Sequence, residues 1–135
     1  LVQSKRCIVI ANGYYEWMQT SQGKKPYYIY DPENIILPFA GLWDRWENDN
    51  KQHRISCTII TTEMSKELKH IHNRMPVILA NDSMDEWLDC SQPQDTALQL
   101  LKTYTQTLVY YPVSNFVNTP VNNSQKCIEP IIMEG

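Results

Sequence analysis

Short runs of β-branched and aromatic residues, separated by polar turn sequences, dominate the first sixty residues of the chain. Such runs, bounded by Asn, Asp, Gly and Pro, are typical of β-strands. They predict strands at residues 7–11, 14–17, 26–30, 39–46 and 54–62. The last of these, RISCTIITT, has the clearest pattern of a buried strand. A hairpin loop is expected at residues 20–25.

Helical patterns are shorter and lie further along the chain. Residues 63–70 predict one helix. Two capping-box patterns, which start at Ser83 and Ser91, predict helices that end at Leu88 and near Tyr104. Further strands are expected at residues 75–80 and 108–113. A block of strands with a few helices predicts an α+β fold with a mostly antiparallel, barrel-like sheet.

Length and composition narrow the class of protein. The chain has 135 residues, of which 42% are hydrophobic and 20% charged, so it can bury a core without metals or disulfides. The longest apolar run, residues 35–43, is shorter than the ~18 residues of a membrane span. No secretory signal is seen at the start, so we expect a cytoplasmic protein without membrane association.

The four cysteines, Cys7, Cys57, Cys90 and Cys127, are widely spaced and form no C-x-x-C pair. This spacing predicts reduced thiols rather than a zinc ribbon. The net charge of −3 is unevenly distributed. Residues 1–76 carry ten basic and eight acidic side chains, whereas residues 77–135 carry two and seven. An anion-binding face is therefore expected in the first part.

Two segments hold residues that could take part in catalysis or binding. Glu16 lies among aromatic residues, next to Trp17, where loss of water would favour a carboxyl group that donates protons. A carboxylate on the solvent face of a strand is the alternative interpretation. His72 and Arg74 lie in a loop before a strand. An imidazole can move protons near neutral pH, and a guanidinium can hold a phosphate. A surface loop with an ion pair is the alternative.

His70 and His72 form an H-x-H pair, but no third ligand lies at a recognisable spacing. We therefore expect no metal site. A serine hydrolase is also disfavoured, because the chain has no G-x-S-x-G motif.

Several motifs together resemble those of the SRAP family, the SOS response-associated peptidases. Residues 71–79 (IHNRMPVIL) match its most diagnostic pattern, I-H-x-R-M-P followed by apolar residues and Leu. Residues 6–17 (RCIVIANGYYEW) resemble its R-C…G-(aromatic)-(aromatic)-E-W signature. Further segments match in the family's order, at residues 25–30, 40–44, 57–62, 112–114 and 121–123.

The resemblance implies a function in DNA damage. SRAP proteins trap abasic sites in single-stranded DNA through an N-terminal cysteine, which is exposed when the protein removes its own initiator Met. The amine and thiol of that cysteine condense with the sugar aldehyde to a Schiff base and then a thiazolidine. Single-stranded DNA with abasic sites is thus the expected partner, in the nucleoid or the nucleus. No cofactor and no metal are implied.

The resemblance also implies roles for four residues. His72 would move the proton that opens the closed sugar, and Glu16 would act as the acid near the attacking amine. Arg74 and Thr61 match family positions that hold DNA phosphates.

One part of the family pattern has no match. None of the four cysteines corresponds to the nucleophile, and the segment that supplies an active-site Asn is missing. We expect both to precede Leu1, so that residues 1–135 form the larger C-terminal portion of a single SRAP domain. Two alternatives stay open. The chain could be a non-covalent single-stranded-DNA-binding module with a decayed site. It could also be an unrelated small-molecule hydrolase that uses Glu16 and His72.

Overall fold

The computed structural model describes residues 1–132 and contains strands, two short α-helices and several 3-10 turns. The strands are β1 (Arg6–Ala11), β2 (Tyr14–Thr20), β3 (Gly23–Tyr30), β4 (Leu37–Glu47), β5 (His53–Ile59), β6 (Thr61–Glu63), β7 (Arg74–Pro76) and β8 (Val109–Pro112). The helices are α1 (Met84–Leu88) and α2 (Gln94–Leu98). The 3-10 turns are Lys66–Leu68, Asn81–Ser83, Asn115–Asn118 and Gln125–Ile128.

All strand pairs are antiparallel, which confirms the predicted α+β class. The strands form three sheets, in the orders β1-β4-β5, β2-β3-β8 and β6-β7. The prediction that the sheet closes like a barrel was wrong. The first and third sheets are joined by a single bridge, between Phe39 and Ile78, and by a few backbone hydrogen bonds around Ile60. Such isolated bonds align two sheets without making a continuous ladder.

The β2–β3 hairpin is tighter than expected. Its strands extend to Thr20 and resume at Gly23, so the loop predicted at residues 20–25 shrinks to two residues. Gly23 has φ = 100°, a conformation that side chains rarely adopt. The Thr20 hydroxyl also donates to the Gly23 carbonyl at 2.6 Å. These features fix the register of the strand that carries Glu16.

The burial predicted for residues 54–62 was wrong. Every residue of β5 is exposed, and Ile55 is 73% accessible. The strand forms as its β-branched residues predict, but it lies at the edge of a three-stranded sheet. The β-branched run therefore correctly indicated a strand here, but it did not indicate that the strand is buried.

Two helix predictions also changed. Residues 63–70 are not one helix, because Thr61–Glu63 pairs with Arg74–Pro76 as β6 and leaves only the turn Lys66–Leu68. Neither capping box forms. Ser83 already has helical torsions at the end of a 3-10 turn, so it cannot act as an extended N-cap. The Ser91 hydroxyl donates to Asp89, and α2 begins after Pro93 and ends at Leu98.

The buried side chains form two hydrophobic clusters. The first includes Phe39, Leu68 and Ile71, with Tyr14 and Met18 of β2 packed against it. The second surrounds the fully buried Trp87 of α1. Within residues 1–132, no helix is long and apolar enough to cross a membrane.

Arg6 joins β1 to α1 from within the protein. Its side chain is almost fully buried and lies over the Trp87 ring, with 5.5 Å between the guanidinium carbon and the ring centroid. Its nitrogens donate to the backbone carbonyls of Val2, Gln3, Trp87 and Asp89. In return, the Trp87 indole N–H donates to the Cys7 carbonyl at 2.9 Å. The Arg6 guanidinium therefore links the N-terminal segment to the end of α1 through hydrogen bonds to backbone carbonyls.

We predict that Arg6→Met lowers the free energy of unfolding by about 2–4 kcal/mol, since it leaves buried carbonyls without donors. Urea unfolding followed by tryptophan fluorescence measures the change. Arg54→Met, on the exposed strand β5, is the matched control and should change stability by less than about 0.5 kcal/mol. Equal losses for the two variants would contradict the structural role of Arg6.

Candidate active site

Glu16 lies in the middle of β2, an edge strand of the second sheet. Side chains alternate along a strand, so Glu16 shares a face with Tyr14 and Met18. Both neighbours pack against the first hydrophobic cluster, whereas Glu16 is half-buried. The strand begins where Gly13 contacts Tyr28, and a Cβ at Gly13 would lie 2.3 Å from that ring. Glu16 therefore lies at the boundary between the core and solvent.

The segment with His72 reaches the same place through a buried anchor. Ile71 is only 3% exposed and belongs to the cluster that Tyr14 and Met18 contact. Its amide donates to the Leu68 carbonyl at 2.9 Å. His72 follows directly and is exposed. Burial of Ile71 therefore fixes the segment beside β2.

Glu16 and His72 line one cavity of about 470 Å³. The remaining lining residues are Trp17, Gln19, Lys24 and Ile71. A carboxylate, an imidazole and an ammonium group thus border a single space. These three groups can accept protons, donate protons and attract an anion.

The hydrogen bonds of His72 define which nitrogen faces a ligand. The Arg74 backbone amide donates to Nδ1 at 3.1 Å, so Nδ1 is an acceptor and the neutral ring carries its proton on Nε2. The Arg74 carbonyl lies 3.3 Å from the same nitrogen. It can accept a bond from Nδ1–H when the ring is charged. The backbone therefore supports both protonation states, and Nε2 is left to exchange protons.

Arg74 and Thr61 meet next to this cavity without lining it. They lie on the paired strands β7 and β6, where Thr61 faces Pro76 and Glu63 faces Arg74. The Arg74 Nη2 donates to the Thr61 carbonyl at 2.8 Å and to its hydroxyl at 3.3 Å. The other guanidinium nitrogens have no protein acceptor in the described range and face solvent. The pair can therefore hold an anion such as a phosphate.

A nearby ion pair occupies the Glu63 carboxylate, which could otherwise bind Arg74. The Glu63 carboxylate accepts from the Lys69 ammonium at 2.8 Å, and this bond lowers the pKa of Glu63. Lys69 thus engages the nearest carboxylate on β6. Arg74 keeps its donors for Thr61 and for solvent.

Tyr14, on the same strand face as Glu16, carries an unpaired hydroxyl. Its oxygen is buried and has no hydrogen-bond partner within residues 1–132. Burial, and then the negative charge of Glu16, raise the pKa of Tyr14 well above its ordinary value. Neither Tyr14 nor Lys24 was predicted as a site residue from the sequence. The hairpin pairs Lys24 with Gln19, and both side chains line the cavity.

The cysteines lie outside this cavity. All four are free thiols, and none is among the residues described as lining it. Burial raises the pKa of the Cys7 thiol, which lies on β1. His70 is also separate from the cavity, since its ring packs 5.3 Å from that of Tyr110. Residues 1–132 contain no group of three His, Cys, Asp or Glu side chains arranged to hold a metal ion.

A second cavity of about 470 Å³ lies elsewhere, between the start of β4 and residues 100–106. Its lining contains one charged side chain, Lys102, and no acid–base pair. The Glu16 and His72 cavity is therefore the better candidate for chemistry.

Comparison with known proteins identifies relatives along almost the whole chain. A family model described as "SOS response associated peptidase (SRAP)" matches residues 1–120. The abasic site processing protein HMCES of Gallus gallus is 36% identical over 152 residues, covering 97% of this chain and 45% of the relative. The abasic site processing protein YoaM of Bacillus subtilis is 40% identical over 129 residues, covering 93% of this chain and 57% of the relative. The chain thus spans about half the length of these curated relatives.

Solved structures share the fold. A crystal structure of a protein from Bacteroides thetaiotaomicron superposes with a TM-score of 0.88 at 31% identity. The match covers 97% of this chain and 59% of that one. A protein from Bordetella bronchiseptica matches with a TM-score of 0.73 at 27% identity, over 84% of this chain and 57% of that one.

Proposed function

The chain belongs to the SRAP family, the SOS response-associated peptidases, and from that premise we propose that it processes abasic sites in DNA. The observation that carries the proposal is the shared cavity of Glu16 and His72, with the Arg74–Thr61 pair beside it. Acid–base groups next to an anion-binding pair suit a sugar that is flanked by phosphates. The names of the relatives from Gallus gallus and Bacillus subtilis support the same substrate.

The first chemical step is the opening of the abasic sugar. In the closed hemiacetal, the C1′ hydroxyl must lose a proton while the ring oxygen gains one. We assign the second transfer to the charged form of His72, in which Nδ1–H donates to the Arg74 carbonyl and Nε2–H passes its proton to the ring oxygen, leaving a neutral ring. Solvent water accepts the C1′ hydroxyl proton. Ring opening produces the aldehyde that a nucleophile can attack.

The second step is covalent capture by an N-terminal cysteine, which we propose lies outside these 135 residues. Its amine adds to the aldehyde carbon and forms a carbinolamine, which loses water to give a Schiff base. The thiol then adds to the C=N carbon while its proton moves to nitrogen, which closes a thiazolidine. Glu16 first accepts a proton from the attacking amine and then donates one to the departing hydroxyl. The same cysteine would release the initiator Met in the peptidase reaction.

DNA binding is assigned to Arg74 and Thr61. The free guanidinium nitrogens and the Thr61 hydroxyl can each donate to a phosphate oxygen. We propose single-stranded DNA as the partner, because the cavity lies at an open sheet edge and an unpaired strand can place its sugar there. We also propose that residues 1–135 are the larger part of one SRAP domain, in a cytoplasmic protein that acts at the nucleoid or, in a eukaryote, in the nucleus.

We predict that the protein encoded by the full open reading frame forms a band with abasic single-stranded DNA that survives heat and detergent. Glu16→Gln and His72→Gln should each slow its formation by at least about 100-fold, a typical loss for a general acid or base. His70→Gln is the matched control, because that imidazole packs on Tyr110 outside the cavity. Gel electrophoresis of quenched time points measures the rates.

The same assay separates the alternatives. The 135-residue chain alone should give no such band, and a band from it would place the nucleophile among these residues. Tight binding without a band from the full protein would favour the non-covalent module. Equal losses in the His70 and His72 variants would contradict the site.

We predict that Arg74→Ala weakens binding of single-stranded DNA similarly for different sequences, since a phosphate contact carries no base information. The slope of log affinity against log salt should decrease in magnitude by about 0.7, the value for one phosphate contact on a single strand. Fluorescence anisotropy at several salt concentrations measures both. Arg54→Ala on β5 removes the same charge and should leave the slope nearly unchanged. The assignment fails if the two variants behave alike.

A further inference from the structure

The hydroxyl of Tyr14 is the one buried side-chain nitrogen or oxygen atom in residues 1–132 that lacks a hydrogen-bond partner. Buried polar groups in proteins are nearly always paired, so an exception needs a reason. A phenylalanine at this position would fill the same space without the unpaired oxygen. The hydroxyl therefore either is a packing imperfection or acts in a state with a bound ligand.

The position of Tyr14 favours the second explanation. Tyr14 and Glu16 are two residues apart on one face of β2. The Tyr14 ring meets the Phe39 ring edge-on, with 6.0 Å between centroids and 82° between planes. This contact and the surrounding core hold the ring in place. Any new hydrogen bond must then come from a group that moves toward the hydroxyl.

Glu16 is free to make that movement. It is half-buried, and its carboxylate accepts a 3.3 Å hydrogen bond from the backbone amide of Trp17. A flexible side chain with such a long bond can turn when a ligand enters the cavity. The other titratable groups that line this cavity, Lys24 and His72, belong to β3 and to the segment after Leu68.

We propose that Tyr14 is a positioning residue for Glu16, and that its hydroxyl donates a hydrogen bond to the Glu16 carboxylate when an abasic sugar occupies the cavity. The inference rests on the proposed role of Glu16 as acid and base. This hydrogen bond holds the Glu16 carboxylate in one position beside the reacting carbon. The raised pKa of Tyr14 keeps its proton in place, so the hydroxyl remains a donor.

The protein offers a second tyrosine for comparison. The hydroxyl of Tyr104 donates to the buried Asp31 carboxylate at 2.6 Å. Burial of Asp31 acts against ionisation, but this bond and those from Asn34 and Glu33 leave its pKa lowered. Tyr104 lies at the other cavity and does not touch Glu16. Its hydroxyl therefore has a structural partner, whereas that of Tyr14 has none.

The test compares Tyr14→Phe with Tyr104→Phe in the full open reading frame. Tyr14→Phe should slow covalent capture of abasic single-stranded DNA by about tenfold and leave the unfolding midpoint in urea unchanged or raised. Tyr104→Phe should lower the unfolding midpoint and leave the capture rate unchanged. In a Glu16→Gln background, Tyr14→Phe should cause no further loss, because the two residues act as a unit.

A spectroscopic measurement keeps the test independent of activity. The carbon-13 resonance of the Glu16 carboxyl, identified by its loss in Glu16→Gln, is followed with an abasic-site analogue bound. Tyr14→Phe should shift this resonance, and Tyr104→Phe should not. An unchanged rate and resonance in Tyr14→Phe, or rate losses that add with Glu16→Gln, would overturn the inference. Absence of capture by the unaltered protein would refute the covalent function instead, while the resonance still decides the role of Tyr14.

Discussion

The site depends on the burial of one side chain, Ile71. Full burial of an isoleucine contributes about 1.5–3 kcal/mol, which is enough to hold a short irregular segment against a sheet. Ile71 packs into the cluster that Tyr14 and Met18 also contact. The residue after Ile71 is His72, and the residue between Tyr14 and Met18 on that face is Glu16. An apolar contact thus brings together two polar groups from distant parts of the sequence.

Backbone hydrogen bonds then refine the position that burial fixes. The pairing of β6 with β7 sets Arg74 beside Thr61, and the Arg74 amide orients the His72 ring. The same amide and carbonyl serve the neutral and the charged imidazole. Nδ1 therefore has a backbone partner whether or not it carries a proton. A site preorganised in this way loses little free energy to reorganisation during a reaction.

Local sequence patterns predicted the strands and the candidate residues better than they predicted how the parts assemble. Periodicity located β1 to β4, and the motifs around Glu16 and His72 identified side chains that share a cavity. The same local signals misjudged β5, since β-branched residues favour a strand at an edge as well as in a core. They also could not show that the sheets stay separate or that Ser83 is already helical. Tyr14 could not be predicted as a site residue, because its lack of a hydrogen-bond partner is visible only in the three-dimensional structure.

We propose that Glu16, His72 and Arg74 together receive an abasic nucleotide. A crystal structure of this chain with single-stranded DNA that carries a central tetrahydrofuran abasic-site analogue would test this arrangement. We expect the analogue's sugar to lie between Glu16 and the His72 Nε2, with an adjacent phosphate on Arg74 and Thr61. DNA bound on the β1-β4-β5 sheet instead, with the Glu16 cavity empty, would contradict it.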